Sequence, residues 1–191
     1  LSIDTYKSEV ALRALEVGAK MLNDQWGLKH APRLAELAAE WKVPLILMSN
    51  QRDKGGYDAS LKRDTADYGD PISEIISSLK RSLEIASRSN VPWENIILDP
   101  GIGFGKTLEG NLELIRRLGE IKALGRPILL GTSRKSMIGM VLNLPPDQRL
   151  EGTAATVALG IANGADMVRV HDVLPMVRVS RMADAIVRRV R

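Results

Sequence analysis

The 191-residue chain is 45% hydrophobic and 26% charged, a composition typical of a globular domain with its own hydrophobic core. Its apolar runs are far shorter than the roughly 20 residues that cross a bilayer, and its start, Leu1–Asp4, lacks the basic and apolar regions of a signal peptide, so no membrane association is expected. The absence of cysteine excludes disulfides, thiolate metal ligands and a cysteine nucleophile, and fits a cytoplasmic location.

The net charge of +4 raises the question of nucleic-acid binding. Lysine and arginine are interspersed with acidic residues, and the aromatic residues that could stack on bases make up only 4% of the chain. The one basic cluster is expected to be the solvated face of a terminal helix; its members are Arg178, Arg181, Arg188, Arg189 and Arg191. We therefore expect no nucleic-acid partner, and the positive balance suits anionic small substrates equally well.

Short apolar runs that favour β-strands alternate along the chain with segments of helical periodicity. The predicted strands are Leu1–Thr5, Lys20–Asp24, Pro44–Ser49, Asn95–Asp99, Pro127–Thr132 and Asp166–Asp172. The predicted helices cover Ala31–Trp41, a segment that begins at Pro71, Glu109–Leu124, Arg149–Asn163, and two segments that follow the first and last strands. The polar stretch Asn50–Gly69 has no clear period, which indicates a functional loop or partial disorder.

Hydrophobic spacing also predicts which helix residues face the core. In the first helix these are Val10, Ala14, Leu15 and Val17, and in the helix that begins at Pro71 they are Ile72, Ile75, Ile76, Leu79 and Leu83. In the last helix the predicted inward residues are Val179, Met182, Ala183, Ile186, Val187 and Val190.

Six alternating β/α units predict a parallel sheet covered by helices. A closed (β/α)8 barrel has eight units in about 250 residues, so the chain is either an open doubly wound sheet or a barrel without about a quarter of its units. No internal linker or low-complexity segment divides the chain, so residues 1–191 are expected to form a single domain.

Function in both architectures is located beyond the carboxyl ends of the strands, and polar residues follow nearly every predicted strand. Three acceptors, Asp4, Asn23 and Asp99, follow separate strands. A carboxylate can accept two parallel hydrogen bonds from a ring edge such as that of an aminopyrimidinone, and an amide suits a mixed edge. Any one of the acids could instead cap a helix or turn, but three on separate strands favour a ligand site.

The segment Gly101–Thr107 resembles a phosphate-binding loop, but it fits neither standard glycine pattern. A Walker A motif would need glycine where Pro100 stands, and a dinucleotide fingerprint would need glycine in place of Lys106. The glycines still permit tight turns and a close approach of ligand to backbone.

Cations and hydroxyls follow the last two strands. Ser133, Arg134 and Lys135 come after one strand, and Arg169 and His171 share one face of the other. Together they offer donors for a phosphate or pyrophosphate, although a buried ion pair and a structural histidine are the alternatives. With two histidines and no cysteine, a transition-metal site built by the protein is not expected.

Three segments together resemble the dihydropteroate synthase family: Leu98–Lys106, Gly131–Gly139 and Arg169–Val173. Two more segments, Ser2–Lys7 and Leu22–Asp24, are similar to it, so the resemblance runs through the whole chain in order. It implies a (β/α)8 TIM barrel of which about six units are present and the first two are missing, so that the natural chain is expected to start earlier. It also implies a reaction in which p-aminobenzoate displaces pyrophosphate from a dihydropterin methylene.

The resemblance assigns roles to the candidate residues. Asp4, Asn23, Asp99 and Lys135 would hold the pterin, and Arg169 and His171 would bind the departing pyrophosphate. The p-aminobenzoate site would be bordered by Ser133, Arg134 and Phe104. The catalytic set would be Asp4, Lys135, Arg169 and His171. Mg²⁺ would be bound mainly through the pyrophosphate and an asparagine of the missing first unit, and a homodimer is expected.

One departure from the family pattern lies after Met48, where the family has histidine and this chain has Ser49 followed by Asn50–Arg52. Two alternatives remain at this point. A pterin-dependent methyltransferase shares the acid and amide positions but lacks the Ser133–Ser136 signature, and a non-catalytic pterin- or partner-binding paralogue would account for the missing units.

Overall fold

The computed structural model describes residues 1–52 and 70–188. In these ranges the strands are β1 (Ser2–Asp4), β2 (Met21–Asp24), β3 (Leu45–Met48), β4 (Ile96–Asp99), β5 (Leu129–Leu130) and β6 (Met167–Val168). The helices are α1 (Ser8–Glu16), α2 (Arg33–Glu40), α3 (Pro71–Arg88), α4 (Leu108–Arg116), α5 (Leu118–Lys122), α6 (Ser136–Leu142), α7 (Leu150–Ala162) and α8 (Val173–Val187). The predicted loop 50–69 lies, from residue 53 onward, outside the described residues.

All strand pairs are parallel, and the strands are adjacent in the order of the chain. One sheet has the order β1-β2-β3-β4, a second pairs β5 with β6, and a bridge between Leu98 and Ile128 joins β4 to the start of β5. A doubly wound sheet would reverse its strand order at a switch point, and this sheet does not. Right-handed crossovers in one direction place the helices on one side, where α1 packs on α2, α2 on α3 and α3 on α4.

The sheet is curved, because the end of β6 approaches the end of β2. The Arg169 side chain donates a hydrogen bond to Asn23 Oδ1 at 3.1 Å, although the two strands are not neighbours in the sheet. Within the described ranges β1 pairs only with β2 and β6 only with β5, so the barrel is not closed. The observed architecture is thus a curved parallel α/β sheet with its helices on the outer side.

The alternation of side chains separates two apolar layers. Outward residues such as Leu45, Leu47 and Leu98 belong to the main core beneath the helices. Inward residues Ile46 and Ile97, which are register partners, form a smaller cluster with Leu129, Met21 and Met167. Asn23, Asp99 and Arg169 have the same parity as these inward residues, so they stand over the concave side of the sheet.

The helix boundaries follow local chemistry. Asp70 caps α3 by accepting a hydrogen bond from the Ser73 N–H, with Pro71 at the first helical position, and Thr107 caps α4 through the Gly110 N–H. The chain leaves α7 through Gly164, whose φ of 109° lies in the region that favours glycine. The predicted helix Arg149–Asn163 is therefore confirmed, with Asn163 as its C-cap residue.

Several details of the predicted elements are wrong. The predicted helix 109–124 is two helices interrupted at Arg117, strands five and six shrink to two residues each, and α6 was not predicted. In α1 Leu15 is buried as predicted, but the other buried residue is Ala11, and Val10 and Val17 are exposed.

The last helix also differs from its prediction. It packs on α7 through a narrow stripe that contains Met176 and Ala183. The predicted inward residues Met182, Ile186 and Val187 are consequently exposed, and Val190 lies outside the described residues. In the part of the chain that the structure describes, no helix is both long and apolar enough to span a membrane.

Candidate active site

The carboxyl ends of β1, β2 and β4 carry the three predicted acceptors. Asp4 and Asn23 are register partners at the ends of β1 and β2, and Asp99 ends β4 opposite Met48 of β3. Asp4 is exposed and accepts a hydrogen bond from the Gln25 side chain at 2.9 Å. All three acceptors therefore lie at the carboxyl ends of the strands, as predicted.

Asn23 is buried with only half of its amide satisfied. Its Oδ1 accepts from Arg169, but its Nδ2 has no partner among residues 1–52 and 70–188 although it is shielded from solvent. A buried amide N–H without an acceptor costs free energy, so polar groups in this condition favour an incoming ligand. The unpartnered N–H of Asn23 is thus a candidate donor to a ligand over the concave side of the sheet.

Asp99 is buried beside several cations. Burial raises the pKa of its carboxyl, while the Gly101 N–H at 2.7 Å and the charges of Lys135, Arg169 and Lys106 lower it in part. A ligand edge that presents two N–H donors would favour the charged form further. The carboxyl therefore gains most from a ligand that donates hydrogen bonds.

Lys135 lies between Asp99 and the ring of Phe104. Its ammonium donates to the Ile102 carbonyl and lies 4.4 Å from the centre of the Phe104 ring, while the Arg52 guanidinium lies 4.5 Å from that centre. Burial lowers the pKa of Lys135 to about 8; Asp99 opposes this, and the positive charges of Arg52 and Arg169 contribute to it. This cation can respond to an anionic ligand, because a new negative charge would raise its pKa.

Ser133 and His171, which follow different strands, are hydrogen-bonded to each other. The Ser133 hydroxyl oxygen accepts from the His171 backbone N–H at 3.1 Å and lies 2.8 Å from His171 Nδ1. The hydroxyl proton is then free to donate to Nδ1, which leaves the proton of a neutral imidazole on Nε2. The exposed ring can therefore present an N–H donor to an anion.

Arg134 is held in an uncommon conformation. Its φ of 56° is left-handed, its N–H donates to Thr153 Oγ1 at 3.1 Å, and its carbonyl accepts from Arg149 at 2.9 Å. The guanidinium makes a two-point ion pair with Asp172 at 2.6 and 3.0 Å, which lowers the pKa of that carboxyl. The pair fixes the direction of Arg134 at the rim of the concave side.

The structure shows contacts between predicted site residues that the sequence pattern did not reveal. Arg169 is hydrogen-bonded to Asn23, Ser133 is hydrogen-bonded to His171, and the Lys135 ammonium lies over the Phe104 ring. Sequence reasoning missed Gln25, Arg52 and Asp172 as partners of these residues. Asp172 was visible as an acid after the last strand, but its pairing with Arg134 depends on a turn that periodicity does not reveal.

The described residues do not form a metal centre of their own. In residues 1–52 and 70–188 no group of three histidine, cysteine, aspartate or glutamate side chains could hold a metal ion. The cations around the concave side suit an anionic ligand instead.

Comparison with known proteins agrees with this chemistry. The profile of the pterin binding enzyme family matches residues 1–171. The chain is 52% identical over 190 residues to a dihydropteroate synthase of Clostridium beijerinckii, covering 99% of this chain and 66% of that protein. It is 47% identical to a dihydropteroate synthase of Bacillus subtilis, covering 97% of this chain and 61% of that protein. The chain thus spans less than two thirds of the length of these curated relatives.

Solved structures give the same result. A Clostridium difficile dihydropteroate synthase determined with pteroic acid superposes with a TM-score of 0.88 at 48% identity, over 98% of this chain and 67% of that one. A Xanthomonas albilineans dihydropteroate synthase in complex with 7,8-dihydropteroate superposes with a TM-score of 0.85 at 32% identity, over 97% of this chain and 68% of that one.

Proposed function

The chain belongs to the family of pterin-binding enzymes, and we propose that it provides the substrate-binding strands of a dihydropteroate synthase. The observation that carries this proposal is the pairing of two buried acceptors, Asn23 and Asp99, with the cations Lys135 and Arg169 over one concave surface. The acceptors suit the donor edge of a pterin, and the positive charges suit a pyrophosphate.

The finer fold is part of the proposal. The single domain, residues 1–191, contributes about six units of a (β/α)8 barrel. The sequential parallel order of its strands and the contact across the concave side support this arrangement. The exposed Val10 on α1, the exposed Val17 directly after this helix and the outer edge of β1 suit further β/α units, packed as in the rest of the sheet.

The proposed reaction is a displacement at the methylene carbon of a dihydropterin pyrophosphate. The amine nitrogen of p-aminobenzoate forms a bond to this carbon, the carbon–oxygen bond breaks, and pyrophosphate leaves with the electron pair. The amine then loses a proton to solvent. Positive charge develops on the methylene and negative charge on the leaving group, so fixed charges around each stabilise the transition state.

Different residues bind the pterin and the leaving group. Asp4, Asn23 and Asp99 bind the pterin, with Asp99 accepting from the ring N–H and the exocyclic amine. The leaving group is held by Arg169 and by His171, whose Nε2 proton is directed by Ser133. Lys135 contacts the pterin, and its positive charge lies between the pterin and the leaving pyrophosphate, whose negative charge it offsets.

The arylamine half lies at the rim of the same pocket. Phe104 gives its ring a flat contact, and Ser133 and Arg134 border its carboxylate. The ion pair of Arg134 with Asp172 keeps the guanidinium oriented at this rim.

Mg²⁺, a homodimer and a cytoplasmic location complete the proposal. Because the described residues offer no cluster of metal-binding carboxylates, Mg²⁺ would reach this part of the pocket on pyrophosphate oxygens, as is usual for this hard ion. When bound, it would neutralise the leaving group, and Arg169 and His171 would contact the remaining oxygens.

Calorimetry tests the proposal. The purified complete gene product is titrated with a dihydropterin pyrophosphate analogue and Mg²⁺, and then with p-aminobenzoate, with and without pyrophosphate present. We expect the pterin to bind, and the arylamine to bind only in the presence of pyrophosphate. A folded protein that binds no pterin would contradict the proposal, as would near-normal turnover in Arg169→Ala.

A further inference from the structure

Lys106 is a cation whose hydrogen bonds all reach the backbone. Its ammonium donates to the carbonyls of Gly101 at 2.8 Å, Ser49 at 3.0 Å and Phe104 at 3.3 Å. An ammonium has three donors, so these three acceptors use all of them. Burial lowers the pKa of Lys106 to about 7 and Asp99 raises it in part, which indicates that the position is costly for a cation.

The three carbonyls converge because the glycine loop, residues Gly101–Gly105, lies directly against the chain that follows β3. A Cβ on Gly101 would overlap the Ser49 carbonyl oxygen, and one on Gly105 would overlap the backbone of Gln51. The Gln51 N–H also donates to the Phe104 carbonyl at 3.2 Å. Carbonyl dipoles that point at one spot repel each other, and a cation at that spot converts the repulsion into attraction.

Asn111 on α4 fixes the loop from the other side. Its Oδ1 accepts from the Gly103 N–H at 2.7 Å, and its Nδ2 donates to the Thr107 carbonyl at 2.7 Å. The side chain is buried, so these bonds are shielded from water. Lys106 and Asn111 thus hold the loop between β3 and α4.

The loop in turn carries groups of the candidate active site. The Ile102 carbonyl accepts from Lys135, the Phe104 ring contacts the same ammonium, and the Gly101 N–H donates to Asp99. A Cβ on Gly103 would lie 3.1 Å from Lys135 Cδ, so the loop packs directly on this side chain. The shape of the loop therefore determines where Lys135 lies.

We propose that Lys106 is a positioning residue, which fixes the glycine loop so that Ile102 and Phe104 hold Lys135 over the pocket. This inference rests on the proposed function. Because its three donors are used by backbone carbonyls, Lys106 itself is not expected to contact substrate.

The test compares Lys106→Met with Arg126→Met in the complete gene product. Arg126 is a matched control because it also donates to backbone carbonyls of β4 and its surroundings, those of Ile96 and Glu94, but at the amino end of the strand. We expect Lys106→Met to lower kcat by about tenfold or more and to raise the Kd of the bare pterin by a smaller factor, since Lys135 is displaced while Asn23 and Asp99 stay on their strands. Lys106→Arg, which retains a cation with several donors, should recover part of kcat.

Hydrogen exchange provides a readout that does not need turnover. Amides of residues 99–108 should exchange about tenfold faster in Lys106→Met and at the wild-type rate in Arg126→Met. If the wild-type protein makes no dihydropteroate, the proposed function fails, and the exchange data still decide whether Lys106 fixes the loop. Unchanged exchange, or a kcat within twofold of wild type, would overturn the inference.

A second variant covers the case in which Lys106→Met does not fold. Asn111→Leu removes the acceptor of the Gly103 N–H from the opposite side of the loop and should also lower kcat and speed exchange in residues 99–108. Wild-type kcat in a folded Asn111→Leu protein would equally overturn the positioning of Lys135 by the loop.

Discussion

Near each end of β4 a buried or half-buried cation donates hydrogen bonds to backbone carbonyls, but the surroundings of the two cations differ. At the amino end Arg126 donates to the carbonyls of Ile96 and Glu94 and lies 5.0 Å from the Trp93 ring centre, so the cation completes a packed corner. At the carboxyl end Lys106 also binds carbonyls, but two of these, Gly101 and Phe104, belong to the glycine loop, which contacts Lys135.

Other polar groups at the amino and carboxyl ends of the strands differ in the same way. Near the amino ends Asp166 accepts from the Ile128 N–H and pairs with Lys122. At the carboxyl ends Asn23 has an N–H with no partner in the described part of the chain. Burial raises the pKa of Asp99 and lowers that of Lys135, so it favours the neutral form of each. Buried groups with perturbed pKa values beside an unsatisfied donor are typical of a ligand site at the carboxyl ends of the strands.

The largest expected difference concerns Lys135. Lys135→Met should lower kcat/KM by about 100-fold or more, because a fixed charge near the reacting centre is lost. Steady-state kinetics on the complete gene product measure this. The matched change at the other end, Lys122→Met, should leave kcat/KM at the wild-type value; a similar loss there would remove the contrast between the two ends.

A smaller difference is expected between two glycines with left-handed backbones. Gly103→Ala and Gly18→Ala place a Cβ at φ values of 81° and 104°, so each should lower stability by about 1 kcal/mol. Only the Cβ on Gly103 meets the site, 3.1 Å from Lys135 Cδ, whereas that on Gly18 meets open space.

We therefore expect Gly103→Ala alone to lower kcat, by about tenfold, while thermal unfolding shows comparable losses of stability in both proteins. Equal kcat values in the two variants would mean that the glycine loop does not constrain Lys135.

The pH dependence of turnover should show whether the charge of Lys135 is required. Burial lowers the pKa of Lys135 to about 8, so its charge is present below that pH and is lost as the pH rises through it. The value of kcat/KM should be about one-half of its low-pH value at pH 8 and roughly one-tenth of it at pH 9. In Lys135→Arg the fall should move to higher pH; a fall at the same pH would assign it to another group.

The smallest kinetic effect is expected at the amino end. Arg126→Met removes two hydrogen bonds and the contact with Trp93, so the free energy of unfolding should drop by about 1–2 kcal/mol. Denaturant unfolding measures the loss, and kcat should stay within about twofold of wild type. A large kinetic defect would show that this end of β4 also controls the pocket.

The sequence was sufficient for the strand positions and for which residues follow the strands. Continuous Leu/Ile runs such as Leu45–Met48 predict buried parallel strands, and Asp99 or Arg169 directly after such runs predicts an edge of polar groups. The roles assigned to these residues remain predictions. The sequential strand order could not be derived, because hydrophobic pattern does not encode which strands are neighbours.

Contacts that depend on the exact path of a loop were also beyond prediction. Lys106 failed a phosphate-loop pattern and was set aside, since nothing in its spacing shows that Ser49, 57 residues earlier, lies beside it. The exposed face of α8 was predicted as core because apolar spacing identifies an apolar stripe but not what covers it.

The hydrogen bond from Arg169 to Asn23 joins positions 146 residues apart. Closing so long a segment of chain is entropically unfavourable until the intervening strands are in place, so we expect this contact to form late in folding. During translation the first strands emerge long before Arg169, and the concave side stays open until the last strand is made. Occupancy of the pocket by a pterin analogue would therefore report, in a cell or a refolding experiment, the fraction of chains that have finished folding.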